Sequence, residues 1–169
     1  IVAEDLGVIT ADVAALRQQF GLPGMRVLQF AFDGDASSPH LPHNYTTDSV
    51  VYTGTHDNDT ALGWYAERAE DAKHRVRVYT GTDGHNINWD LIRLAMTSVG
   101  EMAAFPLQDV LGLGSAARLN TPGRADGNWT WRYQEWMLRP QLSDALRELA
   151  RASGRWLEPG AELAETTYE

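Results

Sequence analysis

Eight residues, Met25 to Phe32 (MRVLQFAF), constrain the fold of this chain more than any others, because they are apolar almost throughout. A strand covered on both faces reads this way, and such strands belong to parallel sheets flanked by helices. The residues upstream fit. Ile1-Val2-Ala3 reads as the end of a strand, so the chain is expected to begin inside an element and to be a piece of something longer. Glu4 to Gly7 forms a turn, and Thr10 then caps a helix with apolar positions at Val13, Ala14, Leu16 and Phe20, stopped by Gly21. Leu22-Pro23-Gly24 turns the chain into MRVLQFAF. Strand, helix, strand predicts parallel pairing.

The rest of the chain continues the alternation. An irregular stretch from Asp33 to Asp48 leads to a strand over Ser49–Thr53. Helices are expected from Thr60 and over Ala69–Tyr79, then a turn at Gly81–His85 and a helix capped by Asn88 that runs to Val99. Met102–Leu107 (MAAFPL) is a fourth strand, with Pro106 at odds with its far end. A glycine-spaced loop reaches to about Trp131, and an amphipathic helix over Leu142–Ala152 closes the pattern. The expected fold is α/β, one partial domain over residues 1–169 with strands near 1–3, 25–32, 49–53 and 102–107.

Composition limits what such a fold can serve. The chain has 169 residues, 43% hydrophobic, enough for one domain that buries roughly 70% of its unfolded surface. A formal net charge of -9 argues against nucleic acid and anionic membrane, which need clustered cations. There is no cysteine, hence no disulfide framework and no thiolate metal site, and a reducing cytoplasm is the expected setting. No apolar run approaches the ~18 residues of a membrane span.

Each strand delivers polar groups at its carboxyl end: Glu4 and Asp5, then Asp33, then His56, Asp57, Asn58 and Asp59, then Gln108 and Asp109. Parallel strands put those groups on one rim, the place of ligand sites in open α/β sheets and of active sites in eight-fold barrels. A rim of carboxylates suits glycosidic chemistry, in which an acid protonates the leaving oxygen while a carboxylate faces the oxocarbenium ion. Glu4 is the candidate acid, and Asp57, His56, Asn58 and Asp33 are the other candidate site residues of the rim.

Plainer readings stand beside these. Glu4 can be a solvated loop carboxylate, Asp57 a helix cap, and His56 a structural hydrogen-bonder. A metal site at His56-Asp57 is disfavoured, because His40 and His43 lack ligand-like spacing. Gly81–Gly84 is a turn and no phosphate loop. Trp129, Trp131, Tyr133 and Trp136 could line a sugar groove, but their spacing favours a place in the core.

Five blocks carry a resemblance to a known family. They are Ala3–Thr10 (AEDLGVIT), Phe20–Met25 (FGLPGM), Leu41–Tyr45 (LPHNY), Tyr52–Thr60 (YTGTHDNDT) and Asn120–Gly123 (NTPG) with Gly127–Trp129 (GNW). In this order they resemble the 4-α-glucanotransferases called amylomaltase or disproportionating enzyme, to about Trp156. The resemblance implies transfer of α-1,4-glucan segments to glucose or another glucan, with retention, on a (β/α)8 (TIM) barrel. It implies Glu4 as general acid/base, Asp57 as transition-state stabiliser, His56 on the same sugar ring, Asp33 and Asn120 in contact with substrate, and no metal or organic cofactor. The family's nucleophile, an aspartate, would lie upstream of Ile1, although retention needs both groups about 5–5.5 Å apart. Four strands cannot close a barrel of about 250 residues. The expectation is therefore the carboxyl-terminal half of the barrel, inactive alone, whose partners are a glucan donor, a glucose or maltooligosaccharide acceptor and the missing amino-terminal half. A non-catalytic glucan-binding module is the alternative.

Overall fold

The computed structural model describes residues 1–156. The last residues of the expected domain, 157–169, lie outside the described residues. Three strands, β1 (Gly24–Val27), β2 (Ser49–Tyr52) and β3 (Met102–Ala104), pair in parallel in the order β1-β2-β3. Gly24 lies opposite Ser49 and Val27 opposite Tyr52, while Val50 lies opposite Met102. The fold is α/β with six α-helices among the described residues. Those named below are α1 (Ala11–Gln19), α2 (Ala61–Ala66), α3 (Glu70–Thr80), α4 (Ile87–Met96), α5 (Leu107–Val110) and α6 (Pro140–Ala152).

Helix α4 joins two apolar clusters. Ile87, Leu91 and Ala95, four residues apart, face the cluster built from Val51, Leu28, Trp64 of α2 and Val76 of α3. Ile92 and Met96, on the adjoining stripe, pack with Val110 of α5 and Leu149 of α6. Spacing of three and four residues puts each set on one helix face, and the two faces together bury the helix from both sides. The turn after α4 is held by Arg155, whose guanidinium donates to the carbonyls of Met96 (2.7 Å), Ser98 (3.1 Å), Gly100 (2.6 Å) and Glu101 (3.1 Å). With Thr97 and Ser98 hydroxyls also bonded back to Arg93 and Ala95, the helix stops at Met96, short of Val99.

Three expected strands differ. Ile1–Ala3 is not a strand. Ala3 N–H reaches Pro23 O at 3.0 Å, but proline has no N–H with which to continue a ladder. The outward-facing donors of β1 go to side chains: Met25 N–H to Asp5 Oδ1 (2.6 Å) and Val27 N–H to His40 Nδ1 (3.1 Å). The strand expected over 25–32 ends at Val27. The chain enters a helical turn over Leu28–Phe30, with Leu28, Ala31 and Phe32 continuing the buried apolar run, and an apolar run alone does not separate the two cases. β3 stops at Ala104, and Pro106 becomes the residue before α5.

Helix α1 forms where expected, with Gly21 in the left-handed region (φ 58°), yet no residue of it is buried and the Thr10 side chain makes no cap bond. Val13, Leu16 and Phe20 are 48%, 55% and 66% exposed. Arg17 tethers the helix, donating to Leu22 O (2.8 Å) and Asp48 (3.1 Å). Asn88 is buried inside α4 and caps nothing; it donates to Asp109 O at 2.8 Å. No helix of the described residues is long and apolar enough to cross a membrane.

Candidate active site

Beyond Tyr52 the chain leaves β2 through a tight turn. Thr53, fully buried, keeps a ladder bond from its N–H to Ala104 O (3.3 Å) and donates its hydroxyl to Asp109 Oδ2 (2.6 Å). Asn58 Oδ1 then accepts from both the N–H and the hydroxyl of Thr55, at 2.8 and 2.9 Å. An Asx brace of this kind fixes the backbone locally and turns His56 and Asp57 outward. Thr60 caps α2 by accepting from Gly63 N–H at 3.1 Å, so Asp57 is left free of that task.

The second half of the site is the 118–131 segment. Asn120 donates its side-chain amide to Asp57 Oδ1 and its backbone N–H to His56 O (3.2 Å). Arg118 donates to Asp57 O (2.6 Å) and Asn120 O (2.8 Å). Asn128 accepts from Thr121 N–H (2.9 Å) and donates to Arg124 O (2.9 Å), closing the NTPG loop on itself. This brings the Trp129 ring to 5.3 Å from the His56 ring, tilted by 34°. Trp129 has φ 61°, a left-handed backbone rare for a bulky residue, and such strain gathers at functional sites. His56 Nε2 lies 3.3 Å from Asp57 Oδ1, with both side chains about half exposed.

A cavity of about 1150 Å³ opens at the carboxyl ends of β2 and β3, at Tyr52 and Ala104, and reaches Met25 of β1. Glu4, His56, Asp57, Asn58 and Trp131 line it, with Tyr52 and Phe105 among its apolar walls. Glu4 makes no hydrogen bond or ion pair among the described residues. The structure thus brings together Glu4, His56, Asp57 and Asn58. It does not bring Asp33 there. Asp33 pairs with Arg68 and lines a second, polar cavity of about 530 Å³ on the far side of the turn, which Asp57 and Asn58 also line. Asn120 meets Asp57 and is not itself in the wall of the large cavity.

Several rim residues have other work. Asp5 braces β1 and stands 3.6 Å from Arg17 and 3.8 Å from Arg26. Asp59 accepts from Ser115 Oγ at 2.7 Å. His40 holds the edge of β1, and His43 contacts Tyr79 and Ala36 O. The aromatic run is not core: Trp129, Tyr133 and Trp136 are 52%, 52% and 69% exposed, and Trp131 lines the cavity. Their place follows from a segment without regular structure that wraps the rim, which residue spacing does not reveal.

Asp109 is 1% exposed, and burial pushes its carboxyl above its ordinary 3.8, against the opposing bonds from Ala61 and Thr53. A raised folded-state value means that the native state holds this proton more tightly than the unfolded chain. The stabilisation is complete below pH 3.8 and is lost as pH rises through the folded value. Thermal melts from pH 3 upward should therefore show the wild type losing stability relative to Asp109→Asn as pH rises. Parallel pH curves would contradict the shift.

A parallel sheet that carries acidic side chains into a cavity at its carboxyl edge is the arrangement of α/β enzymes. Comparison with known proteins narrows the class. The profile of the 4-alpha-glucanotransferase family (Glyco_hydro_77) matches residues 1–139. A 4-alpha-glucanotransferase of Synechocystis sp. is 55% identical over 92% of this chain, and one of Thermus thermophilus is 50% identical over 92%. An amylomaltase from Streptococcus agalactiae, solved in complex with acarbose, superposes with a TM-score of 0.88 at 30% identity. It is covered over 92% of this chain and 32% of that one. The chain belongs to the 4-alpha-glucanotransferase family. It spans about a third of the length of these relatives, 31% and 33% of the first two.

Proposed function

We infer that this chain carries one side of a glucan-transfer site in a 4-α-glucanotransferase. Glu4 acts as general acid/base, Asp57 stabilises the oxocarbenium-like transition state, and His56 and Asn58 bind the same sugar. The observation that carries this reading is that Glu4, His56 and Asp57, from segments far apart in sequence, line one cavity large enough for sugar rings. Asn120 and His56 meet the Asp57 carboxylate while Arg118 holds its backbone carbonyl, the preorganisation that stabilising a transient positive charge requires. Asn120 serves the substrate through Asp57, and Asp33 serves it from the second cavity. Trp131 offers a ring for sugar stacking.

The donor is an α-1,4-glucan, the acceptor glucose or a maltooligosaccharide, and the setting the cytoplasm. The domain is the carboxyl-terminal part of a (β/α)8 barrel, and an aspartate nucleophile comes from the amino-terminal part. Two observations support that architecture: the share of each relative's length that is covered, and the apolar face of α1, which has no cover among the described residues.

The test is complementation. Mixed with the amino-terminal part of the protein, the chain should convert maltotriose to glucose and longer maltooligosaccharides. Sugar binding with no transfer after reconstitution would favour a glucan-binding module, and glucose with maltose alone would indicate hydrolysis.

A further inference from the structure

We propose that Asp109, outside the cavity, is a positioning residue for the transfer site: one buried carboxylate ties together both ends of the turn that presents His56 and Asp57. The proposal rests on the reading of the site given above. Asp109 Oδ2 accepts from the hydroxyl of Thr53, the last residue before the turn, at 2.6 Å. Asp109 Oδ1 accepts from the N–H of Ala61, the first residue of α2, at 2.8 Å. Everything between those two anchors, Gly54 to Thr60, lies outside helix and strand. Asp109 is fixed in its own right, since its carbonyl accepts from Asn88 Nδ2 at 2.8 Å and Asn88 belongs to the doubly buried helix α4. The chain thus links the turn, through one residue, to the helix with the most buried residues among those described.

A cap for α2 does not account for this arrangement. Thr60 already satisfies Gly63, and a cap needs no bond to Thr53, which sits on the far side of the turn. Burying a carboxylate is costly, and apolar residues of similar volume fill such a place at lower cost when geometry is not at stake. What the carboxylate supplies is two acceptor oxygens at a fixed separation, hence a fixed span for the turn. A displacement of about 1 Å at a catalytic group is enough to lower a rate by up to 100-fold. Partial slackening of a turn that keeps its Asn58 brace and its Asn120 and Arg118 contacts should cost less.

The experiment compares Asp109→Ala, Asp109→Asn and Thr53→Val in the intact protein, by maltotriose transfer kinetics and by amide exchange. Asp109→Ala should lower kcat about tenfold with KM within about twofold of wild type. It should also speed exchange at residues 54–60 while leaving α4 unchanged. Asn keeps an acceptor for Ala61 N–H and can donate to the Thr53 hydroxyl, so Asp109→Asn should recover most of kcat. Thr53→Val, nearly isosteric, removes one anchor and should fall between wild type and alanine; it decides the matter if the alanine variant does not fold. Unchanged exchange at the turn, equal acceleration in α4, or an asparagine variant no better than alanine would overturn the proposal. Wild-type protein that transfers no glucan would overturn the functional reading alone, and exchange at 54–60 would still decide whether Asp109 holds the turn.

Discussion

Replacing Glu4 by glutamine in the intact protein should lower transfer from maltotriose about a thousandfold, close to 4 kcal/mol of barrier, while sugar binding stays within a few-fold of wild type. Glutamine keeps the shape and hydrogen-bonding reach of glutamate but has no proton to give to the leaving oxygen. Glu4 stands in the cavity wall with no partner among the described residues, so the substitution breaks no contact that holds the fold. The chemistry supplies an internal control. First-turnover cleavage of a maltosyl fluoride donor, whose leaving group departs without protonation, should lose far less than cleavage of maltotriose does, because only the later step to the acceptor needs Glu4 as base. An equal loss with both donors would mean that Glu4 binds or orients the sugar and does not protonate it, and normal transfer of maltotriose would remove Glu4 from the mechanism.

How much of this was legible in the sequence differs from residue to residue. The parallel sheet was readable, because runs such as Val50-Val51 are apolar on consecutive residues and the helices between them carry their own spacing. The ends of the strands were not. MRVLQFAF stays apolar past Val27 because its helical turn is buried too, and burial rather than pairing is what an apolar run reports. The polar cluster at His56–Asn58 was visible as a break from oily strand to charged turn. The sorting of the acids was not visible: Glu4 and Asp57 face the cavity, whereas Asp5 and Asp109 accept backbone N–H groups from distant segments. A carboxylate that braces a neighbouring element looks the same in one dimension as a carboxylate that meets a ligand. The aromatic run misled for a related reason. Tryptophan is large and apolar enough to belong in a core, and only the course of the 118–131 loop places Trp129 on His56 and Trp131 in the cavity wall.

Gly54→Ala adds a single carbon beside the site and should be strongly damaging. Gly54 lies between the buried Thr53 and the turn, and a Cβ built on it would sit 2.5 Å from Gln29 Nε2, 3.1 Å from Gln29 Cδ and 3.3 Å from Asn58 Cβ. Gln29 cannot swing clear: it is 2% exposed, and its amide donates to Asp59 O at 2.8 Å from across the turn. An added methyl therefore either displaces the Gln29 amide, leaving the Asp59 carbonyl without that donor, or pushes Asn58 off its brace on Thr55. Overpacking of this kind costs about 1–3 kcal/mol, and a buried Gln29 amide left without its acceptor adds about 1–3 kcal/mol. We expect a stability loss of about 3 kcal/mol in denaturant titrations and, because Asp57 moves with the turn, a roughly hundredfold fall in transfer rate. The double variant Gly54→Ala with Gln29→Ala separates the causes. If the collision with Gln29 is what destabilises, truncating that side chain makes room, and the pair should be no less stable than Gln29→Ala alone. Additive losses would show that the glycine is required for some other reason, and that Gln29 does not set the space available to the turn.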